Sequence, residues 1–519
     1  MNKTDEYHST PIFLVAIAVG FCANLLFYGK PLGISVLLFF LLFIGVLLFV
    51  GRRSGVTAVR QNLWLFLPLI FFAGMVALRD NEFVSGLNVL AVAALLAYLL
   101  IYYAAGKVGE SGLMPAVLLP VYTAGKSLFT AVPHIREATG SSQVIWRNQS
   151  NLISIGRGGL LAMPILIVFT ILLASADLVF ANQISGLFSF RVISNLFSLF
   201  FQGLFILGIS WTVTGGLAIV IDSKDNGALF NQRFAGLRRF RFLGFTESTT
   251  VLTLVNLLFL SFVVIQFRYL FGGDSNINLS GYTYSDYARR GFFELLAVAI
   301  LSLGLILGLE AITWRESKRQ FKSYNLLSSF LIVLVVIMLI SAFQRMRLYE
   351  AAFGYTELRL YVYVSIIWLG LLLFWFLYGL WRRPDRFALG AIVVVMGFLV
   401  TLNLLNPDAF IVRQNVARYW AGGALDANYL ESLSADAVPA LVDAISITDS
   451  AEGKVIPLPC PLLSENGVQG TCDTDLAKIL QKGLVDRMTE MQEESDWRQW
   501  QSFKLSRWHA YYILFRLDA

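Results

Sequence analysis

Charge is scarce in this 519-residue chain: Asp, Glu, Lys and Arg together make up 14% of it, against 57% hydrophobic residues. The mean hydropathy is +0.67. A soluble domain could not hide so many apolar side chains, because part of its surface must stay wet. Histidine and cysteine are scarcer still, at three residues each. His8, His134 and His509 fall in an N-terminal tail, a loop and the C-terminal segment, which argues against a shared metal site or a His-based catalytic centre. Phosphate-binding Gly-x4-Gly-Lys-Ser/Thr, His-Glu-x-x-His, Gly-x-Ser-x-Gly and Cys-x2-Cys are all missing. No cofactor and no catalytic residue is expected on these grounds.

The chain is rich in long apolar runs, several near the 18 to 20 residues that cross about 30 Å of hydrocarbon as a helix. Eleven spans are expected, near 12–28, 32–50, 62–78, 83–105, 159–180, 199–221, 249–271, 291–312, 325–343, 359–381 and 387–405. The run from Pro11 to Tyr28 lacks an Ala-x-Ala-like cleavage site and reads as the first span rather than a signal peptide. The expected fold is all-α: a polytopic transmembrane bundle over 1–405 and a small helical extramembrane domain over 406–519. Two apolar segments, 112–133 with three prolines and Lys126, and 185–200 with Arg191 and Asn195, read as interfacial or re-entrant.

Charge distribution sets the orientation. Residues 1–405 carry 30 Lys and Arg against 18 Asp and Glu, whereas 406–519 carry 10 against 16. The pI near 9.1 therefore averages a basic membrane body with an acidic tail, and no nucleic-acid partner is implied. The even-numbered connections between spans (51–61, 106–158, 222–248, 313–324, 382–386) hold 20 Lys and Arg, and the odd-numbered ones hold 7. By the positive-inside rule the even set is cytoplasmic, the N-terminus inside and residues 406–519 outside. Outside the cytoplasm Cys460 and Cys472 could pair; the alternative is two unrelated free thiols in a cytoplasmic tail. In the tail, Ser434 and Asp473 read as helix caps. Trp497, Trp500, Trp508, Tyr511 and Tyr512 read as a small core, or as rings resting on the headgroup layer.

Polar residues gather on the expected outer face. "SAFQRMRLYEAAFGYTELRLYVYV" (341–364) supplies Arg345, Arg347, Tyr349, Glu350, Tyr355, Arg359 and Tyr363, and "YSDYARRGFFEL" supplies Arg290 and Glu294 four residues apart. Tyr355, Arg359 and Tyr363 are expected to stack along one helix, with Gly354 turning the chain and Thr356 capping the second of the two helices it joins. These stretches read either as paired anchors at the headgroup level or as a surface for an anionic lipid or glycan. Glu310 is expected to pair with Arg315. The Gly, Ser and Thr residues of 208–216 could line a path or let helices approach closely. Polytopic glycosyltransferases with lipid-linked donors carry an acidic residue in the first outer loop; "YGKPLG" here has none, which argues against that class.

"YLFGG", "YSDYARRGFFEL", "SAFQRMRLYEAAFGYTELRLY" and "NPDAFIVRQN…LDANYLESLSADAVPALV" resemble the signature segments of a bacterial membrane family, domain of unknown function 4153/4173, over roughly 155–445. The resemblance implies an inner-membrane protein of the cell envelope and brings no established activity. A non-catalytic scaffold, sensor or accessory subunit, working with a membrane-protein partner, is the expected role. A transporter for a small or amphipathic anion is the alternative, and an enzyme acting on a lipid-linked substrate the least supported.

Overall fold

A computed structural model describes residues 3–104, 113–140, 190–221, 242–271, 292–382, 387–450 and 476–518, with isolated positions at 108 and between 158 and 177, and two short strands. Within these residues the chain is nearly all helical. The helices are α1 (Lys3–Phe27), α2 (Ile34–Arg53), α3 (Phe66–Leu78), α4 (Glu82–Tyr102), α5 (Leu113–Gly140), α6 (Phe190–Ile221), α7 (Phe245–Phe271) and α8 (Phe292–Ile312). Then come α9 (Lys318–Phe353), α10 (Glu357–Trp381), α11 (Phe387–Leu405), α12 (Pro407–Trp420), α13 (Ala427–Ser432), α14 (Val438–Ser450), α15 (Leu476–Glu493) and α16 (Leu505–Asp518). A two-residue ladder pairs Leu458 with Cys472 and Pro459 with Thr471.

Eight helices are long and apolar enough to cross a membrane, or nine if the bent pair α11 and α12 counts as one span. They answer to eight of the eleven expected spans. The expected first span is the shorter apolar stretch Pro11–Phe27, the eleventh is α11, and 159–180 lies outside the described residues apart from isolated positions. The two segments expected to be interfacial or re-entrant are helical where they are described. Residues 112–133 fall mostly within α5, a continuous helix packed against α6, α1 and α4. Of the segment 185–200, the part from Phe190 onward belongs to α6.

Helix ends follow local chemistry. Ser317 and Gln320 form a reciprocal capping box at the start of α9. Thr356 caps α10, and Gly354, at φ +76°, makes the turn between them. Asn406 sits in the left-handed region at φ 51°, Pro407 opens the next helix, and α11 and α12 meet at 57°. Within the bundle small residues admit close neighbours. The backbone of Ser127 lies against Gly215, and the indoles of Trp375 and Trp368 lie against Gly390 and Gly397. Trp368 Nε1 also donates to Thr401 Oγ1 at 3.1 Å. Of the 208–216 stretch, Gly215 and Gly216 thus serve helix approach.

Contacts between loops sort the two faces. The start of α2 donates from Ile34 N to Phe503 O (3.0 Å), and Asn415 holds Tyr355 through N–H and C=O bonds of 2.7 and 2.9 Å. So the 28–33, 79–81 and 354–356 loops all lie against the C-terminal helices. On the opposite face Val59 N donates to Tyr103 O (2.8 Å), and Leu243 pairs with Thr313. Arg52, Arg53, Arg60, Arg315, Lys318, Arg319, Lys322 and Arg382 are all on that opposite face, at the other ends of the same helices. The C-terminal helices have their own core, in which Ile411, Val412, Leu430, Val438, Leu441 and Leu480 are buried. Trp497 is buried in it at 2% exposure, whereas Trp500 (55%) and Trp508 (39%) face outward, so the expected aromatic core is split.

Candidate functional site

The most concentrated chemistry of the described residues is a buried polar hub where the C-terminal helices meet the ends of α3, α4, α10 and α11. Asn81 caps α4, its Oδ1 accepting from Val84 N at 3.0 Å. That leaves the Asn81 amide nitrogen pointing between Glu357 at the start of α10 (2.5 Å) and Asp408 in the first turn of α12 (3.1 and 3.2 Å). Tyr361 Oη, one turn into α10, donates to Glu357 (3.2 Å), and Glu357 N donates to Tyr429 Oη (2.8 Å). Asp408 is fully buried and also accepts from Ser434 N (3.2 Å) and from the Ser434 hydroxyl.

Asp436, 3% exposed, receives the backbone N–H groups of Asp80 (2.8 Å) and Asn81 (3.0 Å) and lies 3.6 Å from Arg79. Asp80 is answered by Lys504 at 3.1 Å, on the loop before α16. Arg79 donates to Asn403 O at 2.6 and 3.0 Å, satisfying the open carbonyl end of α11. Beneath it, Asn88 and Asn403 exchange reciprocal amide bonds of 2.7 and 2.8 Å in the buried interior. Arg487, on α15, donates to the carbonyls of Glu431, Leu433 and Ser434 and so fixes the turn that presents Ser434 and Asp436.

Four carboxylates thus converge with two direct cationic partners. Burial pushes the Asp408 carboxyl up to about 6, and the negative charges of Glu357 and Asp436 add to this while hydrogen bonds from Ser434 and Asn81 oppose it. Burial lowers Arg487 below its ordinary value. Among the described residues no group of three or more His, Cys, Asp or Glu is arranged to hold a metal ion. The reason is visible here: the point where Glu357 and Asp408 converge is taken by the Asn81 amide nitrogen, a donor.

The residues read from the sequence as an outer surface lie beside the hub. Arg359 turns back over the α9–α10 turn, donating to Phe353 O (3.2 Å) and Gly354 O and stacking 4.1 Å above the Tyr349 ring. Tyr355 lies in the turn itself, so the expected helical stack with Arg359 and Tyr363 is replaced by a ring contact of 6.3 Å between Tyr355 and Tyr363. Tyr363 Oη donates to Glu350 at 3.4 Å. Burial and the Glu350 charge raise the Tyr355 hydroxyl above its ordinary value. Arg345 is half-buried and Arg347 exposed on the last turns of α9. Glu294 is exposed in the first turn of α8, and Arg290 lies outside the described residues. Glu310 and Arg315 pair at 3.9 Å, as expected. Ser434 caps its turn as expected, its Oγ accepting from Asp436 N. Asp473 and Cys460 lie outside the described residues, and Cys472 sits in the second strand.

Sequence reading passes over Asp80, Asn81, Asp436 and Lys504. The available signal is acidic or amide residues at the very ends of apolar runs, "LRDNEF" and "LNPDAF", the latter beside a proline break.

No curated protein and no solved structure matches the chain. The family described as "Domain of unknown function (DUF4153)" matches residues 66–444, which include every hub residue except Lys504 and Arg487. With that match covering well over half of its length, the chain belongs to the DUF4153 family.

Proposed function

We propose that this is a multi-pass protein of the bacterial cytoplasmic membrane, N-terminus inside and C-terminal domain outside, that acts as a non-catalytic scaffold, sensor or accessory subunit of the envelope. The observation that carries the reading is the hub. Asp80, Glu357, Asp408 and Asp436 are each engaged by backbone N–H groups, an amide, hydroxyls or a cation. Such a network suits a joint that couples an outer domain to the helices beneath it better than a reaction centre, which needs a group held within reach of substrate. The inside-out assignment is supported by the basic residues gathered on the face opposite that domain. About eleven crossings, a Cys460–Cys472 bond, and an anionic lipid or glycan at Arg345, Arg347 and Arg359 belong to this reading, as does a membrane-protein partner.

One observation favours a transporter as second reading: the polar column Asn88–Asn403–Arg79–Asp436 reaches from the interior of the bundle to the outer domain. Single Arg359→Ala and Glu294→Gln variants separate the two. A scaffold loses a co-purifying partner or its own stability. A transporter loses its cellular phenotype while the purified variant keeps the wild-type unfolding temperature, and that result would overturn the first reading.

A further inference from the structure

We propose that a groove between the start of α2 and the end of the chain binds an anionic phospholipid of the leaflet on the C-terminal-domain face, with the phosphate at Arg498 and an acyl chain along Ile34 and Leu38. The inference goes beyond the hub and needs only that α2 crosses the membrane. The groove encloses about 430 Å³ and is lined by Ile34, Leu38, Arg498, Trp500, Phe503 and Trp508.

Its position fixes what can enter. Ile34 opens a helix with no charged residue before Arg52, so the hydrocarbon boundary falls at its first turn. Ile34 N is bonded to Phe503 O, and Gly33 packs on the backbone of Ser502 and Phe503, so the end of the chain is held directly at that boundary. Leu38, one turn deeper, is exposed, and the groove therefore opens onto lipid rather than water. On α16, Leu505, Trp508, Tyr512 and Phe515 are also exposed, at spacings of three, four and three.

Charge complementarity selects an anion. Arg498 is the single charged residue of the lining. Its guanidinium rests 5.5 Å from the Trp497 ring and 5.4 Å from the Tyr511 ring, which fixes its direction without neutralising it. Two nearby cations have carboxylate partners, Lys504 with Asp80 and Arg507 with Glu494 at 3.0 Å, and Lys30 donates to the Leu25 carbonyl. Among the described residues no carboxylate lies within ion-pair distance of Arg498. A cation over an apolar, lipid-facing slot rimmed by two exposed indoles matches a phosphate joined to an acyl chain, whereas a free phosphate would leave the apolar wall of Ile34, Leu38 and Phe503 unused.

The test uses the purified full chain in liposomes containing phosphatidylglycerol or phosphatidylcholine brominated on the acyl chains. Quenching at the groove is taken as the difference between the wild type and a W500F/W508F double variant. Brominated phosphatidylglycerol is expected to quench at a lower mole fraction than phosphatidylcholine, and Arg498→Ala to weaken its apparent affinity about fivefold. Leu38→Trp, which fills the groove from the span side, should abolish the preference, with unfolding temperature as the folding control. Equal quenching by both lipids in the wild type, a measurement that needs no folded Arg498 variant, would overturn the proposal. So would a preference that survives Arg498→Ala unchanged.

Discussion

Acidification from pH 7 to pH 5 is expected to stabilise the folded protein through Asp408. This carboxyl is fully buried, and burial, helped by the charges of Glu357 and Asp436, pushes it from the ordinary 3.8 up to about 6. Between those two values the folded chain holds a proton that the unfolded chain has released, so stability falls as pH rises through the window and levels off above it. A shift of that size corresponds to about 3 kcal/mol lost by neutral pH. The assay is thermal unfolding in detergent from pH 4.5 to 8, followed by tryptophan fluorescence. Asp408→Asn removes the titrating group while keeping an oxygen for Ser434, so its unfolding temperature should vary much less with pH than the wild type's. Burial also raises Glu431, which leaves a background slope of the same sign, and the difference between the two proteins is therefore the decisive quantity. An Asp408→Asn protein with the wild-type slope, or a wild type that gains stability from pH 5 to 6.5, would refute the reasoning.

Lys504→Ala strands the Asp80 carboxylate, whose side chain is 13% exposed, and is expected to cost about 3 kcal/mol in the same assay. Restoring stability with a second change, Asp80→Asn, would confirm that the stranded charge is the cause. Gly354→Ala meets two obstacles, a backbone at φ +76° and a Cβ only 2.6 Å from Asn415 Oδ1, and should lower stability by about 2 kcal/mol or more. Asn415→Ala alone should cost less, since it removes two bonds without straining the turn. Labelling with a PEG-maleimide in intact cells tests the tail: Cys460 and Cys472 should react only after reduction, and reaction without reductant once the membrane is opened would place the tail inside.

The spans were legible because burial in a bilayer leaves one-dimensional evidence: an unbroken apolar run with basic residues at one end. Local turns were legible for a similar reason, since Gly354, Thr356 and Ser434 act on neighbours within a few residues. The hub was not, because its members come from the 79–81 loop, the first turns of α10 and α12, the Ser434–Asp436 turn and Lys504, and no periodicity joins them. Arg359 illustrates the limit at close range. Its spacing from Tyr355 and Tyr363 suggested a stack along one helix, yet the turn at Gly354 puts Tyr355 off the helix and offers Arg359 the carbonyls of Phe353 and Gly354 instead.

The length of α9 has a mechanical consequence. At about 1.5 Å per residue its 36 residues make a rod roughly 54 Å long, against a hydrocarbon layer of about 30 Å. Arg418 grips the C-terminal tip of this rod at the carbonyls of Ala351 (2.9 Å) and Ala352 (3.2 Å), while Ser317 and Gln320 secure its other end. Through Arg418 the tip of α9 and the C-terminal helices are therefore joined. A tilt of α9, the way a long helix adapts to a thinner bilayer, would thus be passed to the C-terminal helices.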